Sequence, residues 1–516
     1  ATGIWQAQDG AGLGHASKPR QCGDSGRRYM CGLRQLDTQF AQSGYLSGRK
    51  IARDFSAGEM MNFDLRFTDK EITAWGGMGI MKRMLDHLGF ESALRTCGLP
   101  QPGSNRGYRP EQLITQFMLS VWCGANRFEH GEVTRHDPVL KRLFGFTRMA
   151  NFKAVMRLFR KFTQSTNESV MDSLYQWLFG QVAINGITLD LDSTVMTRYG
   201  TQEGVARGYN PAKRGRVSHH PLMAFVADTR MIANCWLRPG NTGSANNVQA
   251  FLANTLHRLG DKRVCLLRAD SGFSDSAFLD YLDGQTMHHI IALRQNQPWQ
   301  RALVNAESWW ALQGDDGKRV AGIELTRFAY QPEAWSKPRW VVGIRQHIEQ
   351  RAAPKGKTLS LFADDPVIGR WRFSALVTDL DLPADAVWRL YRGRADCENR
   401  IKELKYDFAA DSFNMKDFWA TEATLNTVML AYNLMSLLRQ VLLKTSAVKH
   451  SSNAVQHTLQ TLRYKLFAKA AYITTESRKP ILNLALAMQQ RAWMQGLWDA
   501  SKTFNLPAKF TPIYSA

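Results

Sequence analysis

Three acidic sites in this chain lie where carboxylates could hold metal ions. Asp190 and Asp192 are two residues apart in AINGITLDLDSTV, whose apolar alternation predicts a strand, so both project from the same face. Asp270 ends a second predicted strand, RVCLLRADSGF, and Glu398 lies on a predicted helix. Carboxylates from strand ends and a helix can converge on Mg²⁺, and two such ions support phosphodiester cleavage. The alternative for each Asp is a turn or cap residue, which is the commoner role at a strand end.

The helix that carries Glu398 has an unusual distribution of charge. We predict one long helix over ADAVWRLYRGRADCENRIKELKYDF, residues 384–408. At about 100° per residue, Tyr391, Arg394, Glu398 and Lys405 fall within a sector of about 60°. One carboxylate beside a phenol, a guanidinium and an ammonium suits a site that metal and phosphate share. A surface helix with ordinary ion pairs is the alternative for this segment taken alone.

The net charge indicates a polyanionic partner. Lys and Arg total 66 against 45 Asp and Glu, which gives +21 and a pI near 9.8. A protein this basic most often binds nucleic acid, although ribosomal, membrane-surface and heparin-binding proteins share the property, and some proteins are basic for solubility alone. Within the chain, a Gly- and Pro-containing loop concentrates cations and is expected to contact DNA, unless it is merely solvated; its members are Arg207, Lys213, Arg214 and Arg216.

Cysteine usage and hydropathy restrict the class of protein further. The seven cysteines show no CxxC spacing, which argues against a disulfide framework or a zinc ribbon and fits a reducing cytosol. His219-His220 has no partner spacing for a metal site, so we expect a structural role. The longest apolar stretch, TLNTVMLAYNLMSLLRQVLL, is interrupted by Asn426, Asn433 and Arg439, which predicts a buried helix and no membrane partner.

Composition and periodicity divide the chain into six regions of an α/β protein. Residues 1–60 are expected to be a poorly structured extension, with Met60 or Met61 as a candidate native start. A helical region that binds DNA is expected over 61–180, where NFKAVMRLFRKFTQS is a basic amphipathic helix that could follow a phosphate backbone or simply face solvent. The remaining predictions are the first part of a mixed-sheet core over 181–300, a β-rich insertion over 301–375, a core helix over 376–420 and a helical C-terminal region over 421–516.

The acidic motifs together resemble those of a known family. Tyr391, Arg394, Glu398 and Lys405 match Y-x2-R-x3-E-x6-K without a gap, which is the signature of a large group of DDE transposases from bacterial insertion sequences. DLDST and RADSGF look like the first and second acid motifs of that group, and TRYGTQEGVARGYNPAKRGRVSHHP looks typical of one subgroup. The resemblance covers residue 61 to near the C-terminus and implies an RNase H-like catalytic core with a β-rich insertion, flanked by helical N- and C-terminal regions.

The resemblance also implies roles for individual residues. Asp192, Asp270 and Glu398 would be the catalytic ligands of two Mg²⁺ ions, for which Mn²⁺ can substitute. Asp190 is placed behind them because the acid before Ser-Thr matches the family better, but the choice between Asp190 and Asp192 stays open. The residues expected to contact DNA are Tyr391, Arg394, Lys405, Lys213, Arg214, Arg216 and a base-stacking tryptophan, either Trp335 or Trp340.

The function that the resemblance implies is DNA transposition. The enzyme would bind terminal inverted repeats and target DNA, cut and paste through hairpin ends, and act as a homodimer in the synaptic complex, in the bacterial cytoplasm and near the nucleoid. Three alternatives remain open from the sequence: a repeat-binding relative that does not cut, an RNase H-like nuclease that cuts without strand transfer, and a basic architectural or RNA-binding protein.

Overall fold

A computed structural model describes residues 64–104, 106–314, 316–349, 370–443 and 457–515. The chain divides into two units, Ala1–Asp69 and Lys70–Ala516, and the second unit contains the helices and strands of the described residues. The extension predicted over residues 1–60 lies outside the described residues.

Helices come first, and polar caps and prolines set where they begin. Pro110 occupies the first turn of its helix, where its missing N–H costs nothing. The side chains of Asp137, Asn151 and Thr163 each accept a hydrogen bond from a backbone N–H three residues later, which fixes three further starts. These helices are Met78–His87 (α1), Phe90–Thr96 (α2), Pro110–Trp122 (α3), Gly131–Arg135 (α4), Pro138–Leu143 (α5), Phe152–Phe159 (α6) and Gln164–Gly180 (α7).

A mixed sheet follows, and its topology identifies the fold class. Its core strands are Ile187–Ser193 (β2), Leu222–Val226 (β6), Met231–Trp236 (β7), Val264–Ala269 (β8) and His288–Ala292 (β9), after a short Val182–Ala183 (β1). The core order is β7-β6-β2-β8-β9. The β2–β6 and β6–β7 pairs are antiparallel, whereas β2–β8 and β8–β9 are parallel. This is the RNase H-like arrangement, so the predicted fold class is confirmed.

Smaller elements connect these strands. Between β2 and β6, the strands Met196–Thr197 (β3), Ala206–Arg207 (β4) and Val217–His219 (β5) form a small sheet of order β3-β5-β4. The helices Val248–Leu259 (α8), Ser276–Asp283 (α9) and Gln297–Val304 (α10) follow β7, β8 and β9 respectively.

The strands expected as a β-rich insertion continue the core sheet. They are Trp310–Gln313 (β10), Arg319–Tyr330 (β11), Arg339–His347 (β12) and Trp371–Thr378 (β13). The last of them pairs antiparallel with β9, so these four strands and the five core strands form one sheet of nine strands. TLSLFA, residues 358–363 and also predicted as a strand, lies outside the described residues.

The single helix predicted over residues 384–408 is wrong, because the segment forms two helices. Ala384–Arg392 (α11) ends at Gly393, and Ala395–Tyr406 (α12) begins after Arg394. The Leu390 carbonyl accepts a hydrogen bond from Arg268 of β8, and the Arg394 N–H instead bonds the Tyr391 carbonyl at 3.0 Å. The interruption therefore comes from a side chain distant in sequence.

A long helix, Phe418–Leu442 (α13), is buried along almost its whole length. The amide of Asn433 pairs with the backbone N–H and C=O of Ile232 at 2.7 and 2.8 Å, which fastens α13 to β7. Within the described ranges, no helix is both long and apolar enough to cross a membrane. The remaining elements in this part of the chain are Leu459–Leu462 (α14) with a π-helical turn at Arg463–Phe467, then Ala471–Glu476 (β14), Lys479–Leu484 (β15), Met488–Ala500 (α15) and Ala508–Lys509 (β16).

Candidate active site

The sheet register places two of the predicted acids side by side. The parallel pair β2–β8 sets Leu191 opposite Ala269, and the next residues are Asp192 and Asp270. Neighbouring strands are about 4.8 Å apart, so these acids meet at the carboxyl ends of adjacent parallel strands. In open α/β sheets this edge is where ligands bind.

Asp192 is a buried carboxylate held by groups from the α12 segment. Its side chain is only 10% exposed, and Oδ2 lies 3.1 Å from Nη2 of Arg394. The Cys397 thiol donates to the same oxygen at 3.6 Å, while Oδ1 accepts from the Ser193 N–H at 2.7 Å. The start of α12 is therefore packed directly against the first acid.

The charges of the second and third acids act on Asp192. Burial raises the pKa of Asp192 to about 6, the Arg394 guanidinium opposes that rise, and the charges of Asp270 and Glu398 add to it. Glu398 lies exposed in the first turn of α12, where the helix dipole favours a negative charge. The charges of Asp270 and Glu398 therefore both act on Asp192.

The buried side of α12 holds that helix in place. Glu403 is 4% exposed and accepts hydrogen bonds from Arg439 of α13 and from the Leu459 N–H. Arg400 lies 3.5 Å from the same carboxylate. Because this ion pair faces the interior, α12 presents Glu398 on its opposite, exposed side.

The donor set suits a divalent cation, although no three His, Cys, Asp or Glu side chains in the described ranges are close enough to share one metal ion. Carboxylate oxygens are the hard ligands that Mg²⁺ prefers, and Mg²⁺ is usually held by only one or two carboxylates together with waters and substrate phosphates. Burial raises the pKa of Asp192, the charges of Asp270 and Glu398 add to that rise, and a bound cation would offset the repulsion between these acids. The residues therefore fit a hard cation by charge and by chemistry.

Asp190 occupies a different environment from Asp192. Both of its oxygens accept hydrogen bonds from Arg268, at 2.6 Å from Nε and 2.8 Å from Nη2. Acid and base are both almost fully buried, with side chains 3% and 1% exposed. Since Arg268 also bonds the Leu390 carbonyl, Asp190 belongs to the contact between β8 and the end of α11.

The three basic and aromatic residues of the Glu398 signature lie around the first acid motif. Arg394 pairs with Asp192, and Lys405 donates to Thr194 Oγ1 at 2.6 Å and to the Val195 carbonyl at 3.0 Å. Burial lowers the pKa of Lys405. Tyr391 is half-buried on α11, and burial raises the pKa of its phenol to about 12. In the free protein, Arg394 and Lys405 therefore bind the end of β2.

The other predicted DNA contacts lie on other elements of the fold. Lys213, Arg214 and Arg216 are exposed in the loop between β4 and β5. Trp335 is half-buried, with the Arg339 guanidinium 5.2 Å from its ring centroid. Trp340, the alternative to Trp335, is 45% exposed, with the Arg327 guanidinium 4.4 Å from its ring centroid.

A hydrogen-bonded chain beside Asp192 was missed by sequence reasoning. His220 Nδ1 donates to the Thr242 carbonyl at 2.8 Å, so its Nε2 accepts from Ser193 Oγ at 3.1 Å. Ser244 Oγ then donates to Ser193 Oγ at 2.9 Å. Burial lowers the pKa of His220, which favours this neutral tautomer. The His-His pair was visible in the sequence, whereas Ser244 is 51 residues from Ser193 and gives no local signal.

Comparison with known proteins agrees with these motifs. The model of a family described as "Transposase DDE domain group 1" matches residues 55–501. No curated protein sequence matches. One of the solved structures that match is the cryo-EM structure of the piggyBac transposase synaptic complex with hairpin DNA. It is 12% identical, with 77% of this chain and 88% of that chain covered and a TM-score of 0.35.

Proposed function

The chain belongs to the family of transposases with a DDE domain of group 1, and we propose that it binds the terminal inverted repeats of a mobile element and cuts and rejoins DNA at them. The observation that carries this proposal is the meeting of Asp192 and Asp270 at adjacent parallel strand ends, with the helix of Glu398 packed on Asp192. DDE domains generally depend on a divalent metal ion, and we assign its binding to the edge of the sheet where β2 and β8 end.

We assign the metal-binding role to Asp192, Asp270 and Glu398. When bound there, two Mg²⁺ or Mn²⁺ ions would activate the attacking oxygen and stabilise the leaving one. Arg394 and Cys397 orient the Asp192 carboxylate, and Lys405 fixes the backbone just after it. Asp190 supports the site through Arg268 without touching the reacting atoms.

The reaction we propose alternates hydrolysis and transesterification. Water first hydrolyses one strand at the element's end and releases a 3′ hydroxyl, which attacks the opposite strand, breaks that phosphodiester and closes the end as a hairpin. Water then hydrolyses the hairpin and regenerates the 3′ hydroxyl, which attacks a phosphodiester of the target DNA and displaces a target 3′ oxygen, completing cut-and-paste transfer. Nothing in these steps requires a nucleotide cofactor.

The DNA contacts are assigned by charge. The helical residues 61–180 would recognise the inverted repeats, and Lys213, Arg214 and Arg216 would contact phosphates beside the acids. Tyr391 and Trp340 or Trp335 are further candidates next to the cut end. Two copies would act together on paired ends, and the bacterial nucleoid is the proposed place of action.

The test is cleavage of a labelled duplex that carries the repeats flanking the gene. With Mg²⁺ present we expect cuts at the repeat end by the wild type, none by Glu398→Gln, and wild-type cleavage by Glu476→Gln, an exposed acid on β14 outside the proposed DNA contacts. Adding target DNA should give joined products. Binding without cutting would instead indicate a repeat-binding protein, and cutting without joining would indicate a nuclease.

A further inference from the structure

A basic excursion leaves the sheet directly after the first acid. Residues 194–221, which we call the excursion, connect β2 to β6 and include the small sheet β3-β5-β4. Its base is fixed to the helix of Glu398, because Lys405 donates to Thr194 and Val195. Whatever the excursion binds is therefore held at a defined place relative to Asp192.

The surface of the excursion combines exposed rings with exposed cations. Tyr199 is 68% exposed and Tyr209 is 54% exposed. The one acid of the excursion, Glu203, accepts a hydrogen bond from the Phe418 N–H. Four cations interleave with the tyrosines and are all exposed: Arg207, Lys213, Arg214 and Arg216.

The contacts around Tyr199 build it into a preformed cluster. Lys213 Nζ lies 4.9 Å from the ring centroid and donates to the phenol oxygen, and the Arg216 guanidinium lies 5.8 Å from the centroid. The turn that carries these cations is fixed by Asn210, which is 5% exposed. Its side chain donates to Thr197 Oγ1 and accepts from the Lys213 N–H, both at 3.0 Å.

We infer that Tyr199, Lys213 and Arg216 form a binding site for an unpaired nucleotide at the cut DNA end. The ring would stack on the base, and the two cations would contact the flanking phosphates. Base–aromatic stacking needs an open π-face, which a paired base inside a duplex does not offer, and groups of this composition bind single strands without sequence preference. The inference rests on the proposed function, since it assumes a DNA end at the acids.

The size of the effect follows from stacking. Replacing a stacked aromatic by alanine typically lowers affinity for a single strand by roughly 10-fold or more. Because two thirds of Tyr199 stays exposed while the cations lie against it, surface remains for a further planar partner. Tyr464 is a matched control: it is 85% exposed and lies outside the excursion.

The experiment compares two ends of the same repeat duplex, one blunt and one with three unpaired nucleotides, one of them 2-aminopurine. Binding of the full chain is measured by anisotropy in Ca²⁺ buffer, to prevent cutting. We expect the wild type, Tyr199→Phe and Tyr464→Ala to bind the unpaired end roughly 10-fold more tightly than the blunt end, and Tyr199→Ala to bind both equally. The wild type should also quench 2-aminopurine at one unpaired position.

Two results would overturn the inference. One is a preference for the unpaired end that survives in Tyr199→Ala, and the other is wild-type protein that shows neither preference nor quenching. The proposed function is tested separately, by a cleavage assay in which Mg²⁺-dependent cutting by the wild type should be abolished in Glu398→Gln. Cutting without any role for Tyr199 would reject the inference alone, whereas stacking without cutting would reject the transposase reaction alone.

Discussion

Asp190 and Asp192 project from the same face of β2, yet their partners give them different tasks. Asp190 forms a two-point ion pair with Arg268 in the interior, and Asp192 shares its surroundings with two other acids. The sequence left the choice between them open because period-two alternation treats both alike. What separates them is the identity of the residue opposite on β8, and only tertiary structure supplies that.

We therefore expect the same substitution to have different effects at the two positions. Asp190→Asn leaves the Arg268 charge buried and unpaired, which should lower the free energy of unfolding by about 3–5 kcal/mol. Asp192→Asn also loses an ion pair, with Arg394, but it removes repulsion from Asp270 and Glu398, so the loss should be smaller while cleavage is abolished. Chemical denaturation and a cleavage assay on both variants test this, and a greater stability loss in Asp192→Asn would contradict it.

Gly272 offers a test of how closely the second acid must be placed. A Cβ at this position would lie 2.8 Å from Ser244 Oγ and 3.0 Å from Asp270 Oδ1. Gly272→Ala should therefore displace the carboxylate and reduce cleavage by about 100-fold with little loss of stability. Gly284→Ala is the control, since its Cβ would meet its nearest neighbour at an ordinary 3.5 Å. Unchanged kinetics in Gly272→Ala would show that Asp270 tolerates the shift.

At the scale of elements, the pattern of apolar residues correctly predicted those strands and helices that form from interactions between residues close in sequence. Alternating apolar residues correctly indicated β2 and β8, and the apolar run 424–443 correctly indicated a buried helix. The break between α11 and α12 was missed because Arg268, 122 residues from Leu390, takes up its carbonyl. The continuation of the core sheet by β10–β13 was also missed, since strand pairing across such distances leaves no mark in either segment.

The long helix α13 carries a buried acid that should make stability depend on pH. Burial raises the pKa of Glu422 from 4.5 to about 7, and its Oε1 accepts a hydrogen bond from the Leu237 N–H at 2.9 Å. A raised carboxyl pKa stabilises the fold fully below about 4.5, and that contribution is lost as pH rises through about 7. At pH 8.5 the ionised form should cost about 3 kcal/mol.

Glu422→Gln keeps an oxygen for the Leu237 N–H and cannot ionise. Its unfolding free energy, relative to wild type, should therefore rise by about 3 kcal/mol between pH 5 and pH 8.5. Thermal and chemical unfolding at several pH values measure this difference, with Glu91→Gln as the exposed control. A difference that stays constant with pH would mean that Glu422 titrates normally in the folded protein.

For the whole molecule, the question is whether DNA binding reflects the total charge of +21 or its location. Binding constants fall with salt at a logarithmic slope of about 0.9 per phosphate contact in duplex DNA. If Lys213, Arg214 and Arg216 each contact a phosphate, replacing all three by Gln should reduce the slope by about 2.7. If they act only through the long-range electrostatic field of the protein, replacing any other three surface cations should weaken DNA binding to the same extent.

The matched variant replaces three exposed cations from the C-terminal part of the chain, Arg478, Lys479 and Lys502. Both triple variants have a net charge of 21 − 3 = +18, so a difference between them reports location alone. We expect a reduced salt slope and weaker binding in the excursion variant and a wild-type slope in the other, measured by anisotropy from 50 to 300 mM salt. Equal slopes in the two variants would assign DNA binding to the overall charge and remove the excursion from the DNA path.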